Sequence, residues 1–479
     1  MKRILIGGTH SGCGKTTITC AILKALQLQG RPVSAFKCGP DYIDPMFHRE
    51  IIGASSTNLD SFFCAPEVLR RILREGAEGT DIAVIEGVMG YFDGMRSGSS
   101  AYDIARITDT PAVIVVNARG MSESLGALIE GFLHYREDAH IAGFLFNQLS
   151  ASLVPAARAL CEGLGTRFVG FMPRHQISLE SRNLGLVTAE EVPDLQERLE
   201  ALADLAAQYI DLDLLLEIAD IGALPQEDDP AAMVTHVPAP EVSDCPGVPA
   251  PTASSAPAIA EDAPVIAVAR DRAFCFCYPE NIRLLEENGC RIRYFSPLQD
   301  RALPADADGL YLCGGYPELH AQALSENASM RRSVREAVEG GLPTIAECGG
   351  FLYLHRGLRL TDGTEERTWP MCGIIDAEAY EKKFLQRFGY ITLTAHADSL
   401  LFEAGQQIPA HEFHYWDSEA PGDAFDAEKP DGRSWKCGIV SPTLYAAFPH
   451  LYFYARPQMA ERFTTAARAC HRRKAPITT

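Results

Sequence analysis

Gly7-Gly8-Thr9-His10-Ser11-Gly12-Cys13-Gly14-Lys15-Thr16-Thr17 is the stretch that decides the fold. It follows the apolar run Ile4-Leu5-Ile6 and opens a segment, Thr16–Leu28, with apolar residues at helical spacing that ends near Gly30. A glycine-rich turn between a strand and a helix lets backbone N–H groups approach phosphate oxygens, and the helix N-terminus adds its positive dipole end. In that frame Lys15 offers charge to the β- and γ-phosphates, and Thr16 offers a hydroxyl to Mg²⁺. Gly12, Gly14 and Thr17 complete the nucleotide cradle. Thr9 stands where the strict phosphate-loop pattern has its first glycine, so Gly8 gives the loop one extra spacer.

Working outward, further apolar runs at Val33–Phe36, Ile82–Ile85, Ala112–Val116 and Ile141–Phe146 read as strands. Helical patterns lie between them, as at Pro66–Glu75 and Ser124–Tyr135, and again over 195–218 with Leu195, Leu199, Leu202 and Leu205. Strand–helix alternation with nearly continuous apolar strands predicts a parallel sheet buried on both faces. Ligands of such sheets gather at the carboxyl ends of the strands. Asp41 and Asp44 follow the second strand there, and Glu86 and Asp93 follow the run Ile82–Ile85. Carboxylates so placed can hold Mg²⁺ or orient a phosphoryl acceptor, which makes Thr16, Glu86 and Asp41 the candidate metal ligands.

A composition shift divides the chain. Residues 226–262 hold seven prolines, seven acidic residues and no Lys or Arg. Such a stretch buries little apolar surface and reads as a disordered linker between a domain at 1–225 and another at 263–470. The second part again alternates strands (Val265–Ala269, Gly309–Leu312, Thr344–Ala346) with helices (Ile282–Asn288, Met330–Glu339). After its last strand comes Glu347-Cys348-Gly349-Gly350, a thiol on a strand-to-helix turn, where exposure and the helix dipole favour a nucleophilic thiolate. A base must come from elsewhere in the chain. His450 is the best candidate, with His411 and His414 as competitors. The glycine turn at Gly314-Gly315 follows another strand end, and its N–H groups are candidates for an oxyanion hole and glutamine contact.

Composition sets limits on function. The 479 residues are 47% hydrophobic and 22% charged, as in globular domains, with a net charge of −20. That charge argues against a nucleic-acid surface and against a polybasic membrane patch. No apolar stretch approaches the length of a membrane span, and the run after Met1 is too short for a signal peptide. The 14 cysteines are scattered, and Cys275 and Cys277 lack a matching pair for zinc, so a reducing cytoplasm is expected.

Four blocks together resemble the cobyrinic acid a,c-diamide synthase family: Ser11–Thr17, Lys37–Pro45, Glu86–Gly94, and Gly314–Glu318 with Glu347–Gly350. The likeness spans nearly the whole chain apart from the linker. It implies a P-loop NTPase-like parallel-sheet domain similar to dethiobiotin synthetase, which carries the same loop spacer, followed by a class I glutamine amidotransferase-like α/β domain. It implies ATP, Mg²⁺, glutamine and a corrinoid tetrapyrrole as cofactor and substrates, with two acetate side chains amidated. It assigns Cys348 as nucleophile and His450 as base, and places Asp41, Asp44 and Asp93 at the ATP and substrate-carboxylate site, with Tyr42 and Ile43 in the substrate loop. Nickel-sirohydrochlorin and hydrogenobyrinic acid are alternative acceptors. A regulatory P-loop ATPase with a decayed glutaminase is the alternative class, against which Lys15, Cys348 and His450 all stand. The oligomeric state stays open, a homodimer included. Three departures from relatives stand out. Tyr452 replaces a second histidine in His450-Leu451-Tyr452-Phe453, Asn183 replaces a histidine in 182–186, and no acidic residue follows His450 by two positions.

Overall fold

The computed structural model describes residues 1–95, 98–177, 179, 181–182, 185–186, 195–222, 224, 262–362 and 365–474. The chain divides into two compact units, Met1–Glu241 and Val242–Thr479. All but one residue of the linker expected at 226–262 lies outside the described residues.

The first unit runs β1 (Lys2–Gly8), α1 (Lys15–Leu28), β2 (Val33–Cys38), α2 (Ile43–Phe47), β3 (Ser55–Leu59), α3 (Pro66–Gly76), β4 (Ile82–Glu86), α4 (Ala101–Ile107), β5 (Ala112–Asn117), α5 (Ser124–His134), β6 (Ile141–Asn147), α6 (Val154–Gly163) and β7 (Arg167–Met172). Its seven strands are all parallel, in the order β3-β2-β4-β1-β5-β6-β7. Ile4–Ile6, Ile82–Ile85 and Val113–Val116 are wholly buried, as a sheet covered on both faces requires. Every strand read from the sequence is present. Two were missed, both at sheet edges. In β3, Ser55-Ser56-Thr57-Asn58-Leu59 is too polar to read as a buried strand. In β7, Gly170 interrupts the apolar run. A Cβ there would lie 2.5 Å from the Tyr209 carbonyl oxygen, so the glycine lets a following segment close over the sheet edge. That segment is α7 (Leu195–Tyr209), which packs on α1 and buries Leu195, Leu199 and Leu202, followed by α8 (Leu212–Ala219). Within 182–186, residues 183 and 184 lie outside the described set. The short strands β8 (Ser181–Arg182) and β9 (Gly185–Leu186) pair there.

The second unit is built on β10 (Val265–Ala269), α9 (Pro279–Glu287), β11 (Arg291–Phe295), β12 (Ala307–Leu312), α10 (Ala321–Glu326), α11 (Ala328–Glu339), β13 (Thr344–Glu347) and α12 (Gly349–Leu354). β14 (His355–Asp362), β15 (Glu365–Pro370), β16 (Ile375–Glu381), β17 (Arg387–Ala395), β18 (Gln407–His414), β19 (Trp416–Ser418), β20 (Phe425–Glu428) and β21 (Ser434–Cys437) follow. β22 (Ile439–Ser441), β23 (Leu444–Ala447), β24 (His450–Leu451) and α13 (Gln458–Lys474) close the unit. The central sheet has the order β11-β10-β12-β13-β23-β22. The sequence reading found β10, β12 and β13 but not the flanking sheets β15-β14-β16-β19 and β21-β20-β17-β18-β24. In β16 and β20 buried and exposed residues alternate, so these strands offer no continuous apolar run. No helix among the described residues is long and apolar enough to cross a membrane.

Candidate active sites

In the first unit the loop between β1 and α1 turns on two left-handed glycines, Gly12 at φ +80° and Gly14 at φ +103°. Space forbids a side chain at Gly14 as well, since a Cβ would lie 2.1 Å from Asn147 Nδ2. That amide donates to the Cys13 carbonyl at 2.9 Å and braces the loop from the end of β6. Lys15 is buried and donates from Nζ to the His10 carbonyl at 3.1 Å. Burial lowers its pKa, and the neighbouring Lys37 adds to the effect. Thr16 Oγ1 donates to Glu86 Oε1 at 2.5 Å, and Thr17 follows in the first turn, half-buried.

The β4 end meets the β2 end at Lys37, a residue the sequence reading left without a role. Lys37 Nζ bonds Asp44 Oδ2, donates to Glu86 Oε1 at 2.8 Å, and lies 3.9 Å from Asp41 Oδ2. His48, also missed, places Nε2 3.2 Å from Glu86 Oε2. Burial alone would drive the Glu86 carboxyl up, but Lys37 and His48 together hold it below the usual range. Burial would lower Lys37, but Asp44, Glu86 and Asp41 hold it well above its ordinary value. Burial and the carboxylates of Asp41 and Glu86 push Asp44 up.

Asp41 has a second task. Its Oδ1 accepts from the N–H groups of Ile43 and Asp44 at 2.8 and 3.2 Å, which closes the turn into α2. Asn58 in β3 donates to the carbonyls of Gly39 and Asp41 at 2.8 and 2.7 Å. The strand missing from the sequence reading therefore holds the loop that carries Asp41, Tyr42 and Ile43. Tyr42 is half-buried at the start of α2, and Ile43 is buried within it. Asp93 is exposed, and its Oδ2 accepts from Gly90 N–H at 3.0 Å. It shapes the turn after β4 and takes no part in the Lys37 network. Among the described residues no three His, Cys, Asp or Glu side chains are grouped to hold a metal ion by themselves. Thr16 and Glu86 still offer two converging hard oxygen donors, which suits an ion that completes its shell with water and phosphate oxygens.

In the second unit Cys348 stands between β13 and α12 at φ +45°, ψ −98°. A non-glycine residue in such a conformation is strained, and strain of this kind collects at functional turns. Its N–H donates to the Ala447 carbonyl at 2.8 Å. The expected thiolate is not the resting state. Burial pushes the Cys348 thiol well above its ordinary pKa, and the carboxyls of Glu318 and Glu412 reinforce this, so a base must remove its proton. His450 is buried, and burial lowers it to about 4, so it stands neutral and able to accept a proton.

Gly314, Gly315, Gly349 and His450 are packed together. A Cβ on Gly314 would lie 2.4 Å from His450 Cε1, and one on Gly349 would lie 2.9 Å from Gly315 N. The oxyanion expectation needs correcting in one respect. Gly314 N–H donates to the Phe276 carbonyl at 3.2 Å, so that donor is already engaged, and Gly315 N is the one that lies beside Gly349 in the Cys348 turn. The competing histidines have other neighbours. His411 pairs across the strands with His450, while His414 stacks on Phe448 at 4.0 Å and bonds the Trp416 carbonyl through Nδ1. Every described cysteine is a free thiol.

Residues 4–187 match the CobQ/CobB/MinD/ParA nucleotide binding domain, and residues 265–458 match the CobB/CobQ-like glutamine amidotransferase domain. A cobyrinate a,c-diamide synthase of Caldanaerobacter subterraneus is 35% identical over 96% of this chain and 97% of its own. The chain belongs to the cobyrinate a,c-diamide synthase family. Relatives of the same name in Listeria monocytogenes and Salmonella typhimurium are each 36% identical, over 95% and 97% of this chain and 97% and 98% of their own. The family is a glutamine amidotransferase with a nucleotide-binding domain, which fits one phosphate loop and one strained cysteine turn in separate units.

Proposed function

We propose that this protein amidates the a- and c-acetate carboxylates of cobyrinic acid, using ATP and glutamine, in the cytoplasm. The observation that carries the substrate is the end-to-end likeness to cobyrinate a,c-diamide synthases. We assign carboxylate activation to 1–225 and glutamine hydrolysis to 263–470.

A carboxylate is a poor electrophile, so it is first phosphorylated. An acetate oxygen attacks the γ-phosphorus of ATP, the bond to the β,γ-bridging oxygen breaks, and ADP leaves behind an acyl phosphate. Lys15 and the N–H groups of Gly12–Thr17 hold the phosphates, and Lys37 is placed to meet charge on the moving group. Thr16 and Glu86 would hold Mg²⁺, which when bound neutralises phosphate charge. Asp41, Asp44 and Asp93, with Tyr42 and Ile43, form the acceptor side. In the second unit His450 takes the Cys348 proton, and the sulfur attacks the glutamine amide carbon with Gly315 N–H facing the oxyanion. His450 returns the proton to the leaving nitrogen, ammonia departs, and water hydrolyses the glutamyl thioester. Ammonia then attacks the acyl phosphate and displaces phosphate.

The test is a time course with cobyrinic acid, glutamine and Mg-ATP, followed by mass spectrometry, with hydrogenobyrinic acid and nickel-sirohydrochlorin in parallel. A transient monoamide followed by a diamide of cobyrinic acid supports the reading. Amidation of one of the other acceptors alone reassigns the substrate.

A further inference from the structure

We infer that Glu347 is the positioning residue of the glutaminase pair, the carboxyl that holds His450 in register with Cys348 and faces the charge that forms on the imidazole. The inference rests on the assignment of Cys348 and His450 above. An acidic residue two places after the base is absent, because Tyr452 stands there with its ring packed edge-on against Tyr278. Glu347 reaches the same histidine from the other direction. It ends β13, directly before the nucleophile, and its side chain is wholly buried. Its Oε1 accepts from Leu451 N–H at 3.2 Å. Its Oε2 accepts from the Tyr311 hydroxyl at 3.1 Å and lies 3.9 Å from His450 Nδ1.

A second buried side chain completes the clamp. Asn281 donates from Nδ2 to the Leu451 carbonyl at 2.8 Å and to the Tyr311 hydroxyl at 3.3 Å, while its Oδ1 accepts from Phe453 N–H at 2.8 Å. The backbone just after His450 is thus gripped at Leu451 N–H, Leu451 C=O and Phe453 N–H. One residue joins that grip to the nucleophile by a single peptide bond. A buried carboxyl is costly unless its oxygens are bonded, and both oxygens of Glu347 are. When His450 takes the thiol proton it becomes a cation in apolar surroundings, and the carboxyl 3.9 Å from its other ring nitrogen is placed to stabilise it. Bonds of this kind are long without substrate and tighten in the reacting complex.

The experiment compares Glu347→Gln with the unaltered full chain. Glutamine keeps the shape and can still accept from Leu451 N–H, but it cannot ionise to meet a cation on His450. The expected result is a fall in kcat for glutamine hydrolysis of about tenfold or more. KM for glutamine should stay within about twofold, and the pH–rate profile should move. Synthesis with added ammonia should be unchanged, because the carboxylate is activated in the first unit. The rate at which iodoacetamide alkylates Cys348 across pH gives a second readout, independent of turnover. Unaltered kcat, pH profile and alkylation in Glu347→Gln overturn the inference and leave the Cys348–His450 pair standing. A Cys348→Ser protein that still uses glutamine would instead remove the pair, and the inference with it.

Discussion

Cys348 and Lys15 carry the two chemistries, and each makes a sharp demand on a single atom. Serine in place of Cys348 keeps the strained turn but has a hydroxyl far less acidic than the thiol. His450, lowered by burial to about 4, is too weak a base to compensate. Cys348→Ser should reduce glutamine-dependent synthesis by about 10³-fold or more while synthesis from ammonium salts persists, as product amide measured with each nitrogen source will show. Lys15→Ala should do the reverse, abolishing synthesis while glutamine hydrolysis remains measurable as released glutamate. Loss of both activities in either variant, with the fold intact, would sink the separation of sites. At this scale the sequence revealed residues whose meaning is local. Lys15 and Thr16 sit at fixed spacing after glycines, and Cys348 sits between a strand and two glycines. Asn281 and Glu347 were missed because their partners lie far along the chain, and Lys37 and His48 because the carboxylate that joins them, Glu86, ends a strand 49 residues after Lys37. Glu347 meets Leu451, 104 residues away, and no short-range pattern records that.

Among the elements, the phosphate loop depends on its neighbours as much as on its own glycines. Gly14→Ala would put a non-glycine residue at φ +103° and press its Cβ onto the Asn147 amide that supports Cys13. The cost is about 1–3 kcal/mol, concentrated in the loop that receives ATP. ATP affinity measured by calorimetry should fall at least about tenfold. Ordinary affinity in that variant would show that the loop does not form the nucleotide site. The strands of the first sheet were legible because burial on both faces leaves an unbroken apolar run, as in Ile82–Ile85. β3 was not, although its Asn58 holds the Asp41 loop, because an edge strand can be polar. The flanking sheets of the second unit, one mixed and one antiparallel, were hidden by alternation, and with them the cross-strand register that sets His411 opposite His450.

For the molecule as a whole, the two units respond to different solution conditions, and the second carries an unusual load of buried neutral groups. Burial lowers His355 to about 4, His411 to about 3, His414 to about 3 and His450 to about 4. It raises Glu318 to about 7, Glu347 to about 8 and Glu412 to about 8. The signs follow from which state binds more protons. Between pH 4 and about 6.5 the unfolded chain protonates its histidines and the folded unit does not, so the histidines make stability rise with pH. The carboxyls act oppositely. From about 4.3 upward the unfolded chain has lost their protons while the folded unit keeps them, so their contribution falls until pH passes the folded values near 8. Above about 6.5 the histidines are neutral in both states and the carboxyl effect is left, joined towards pH 8.5 by the buried thiols of Cys290, Cys348, Cys372 and Cys437, which burial raises and which act with the same sign. The second unit should therefore lose stability as pH rises from 7 to about 8.5. All 3 tryptophans, Trp369, Trp416 and Trp435, lie in this unit, so their fluorescence follows it alone during urea unfolding. The urea midpoint should fall over that pH range, and Glu412→Gln should flatten the fall, because it removes a titrating group that contacts neither substrate in the proposed mechanism. A midpoint that holds steady or climbs from pH 7 to 8.5 would mean that these carboxyls are ionised in the folded unit. The cation that forms on His450 would then have permanent negative charge nearby, rather than charge that develops only with turnover.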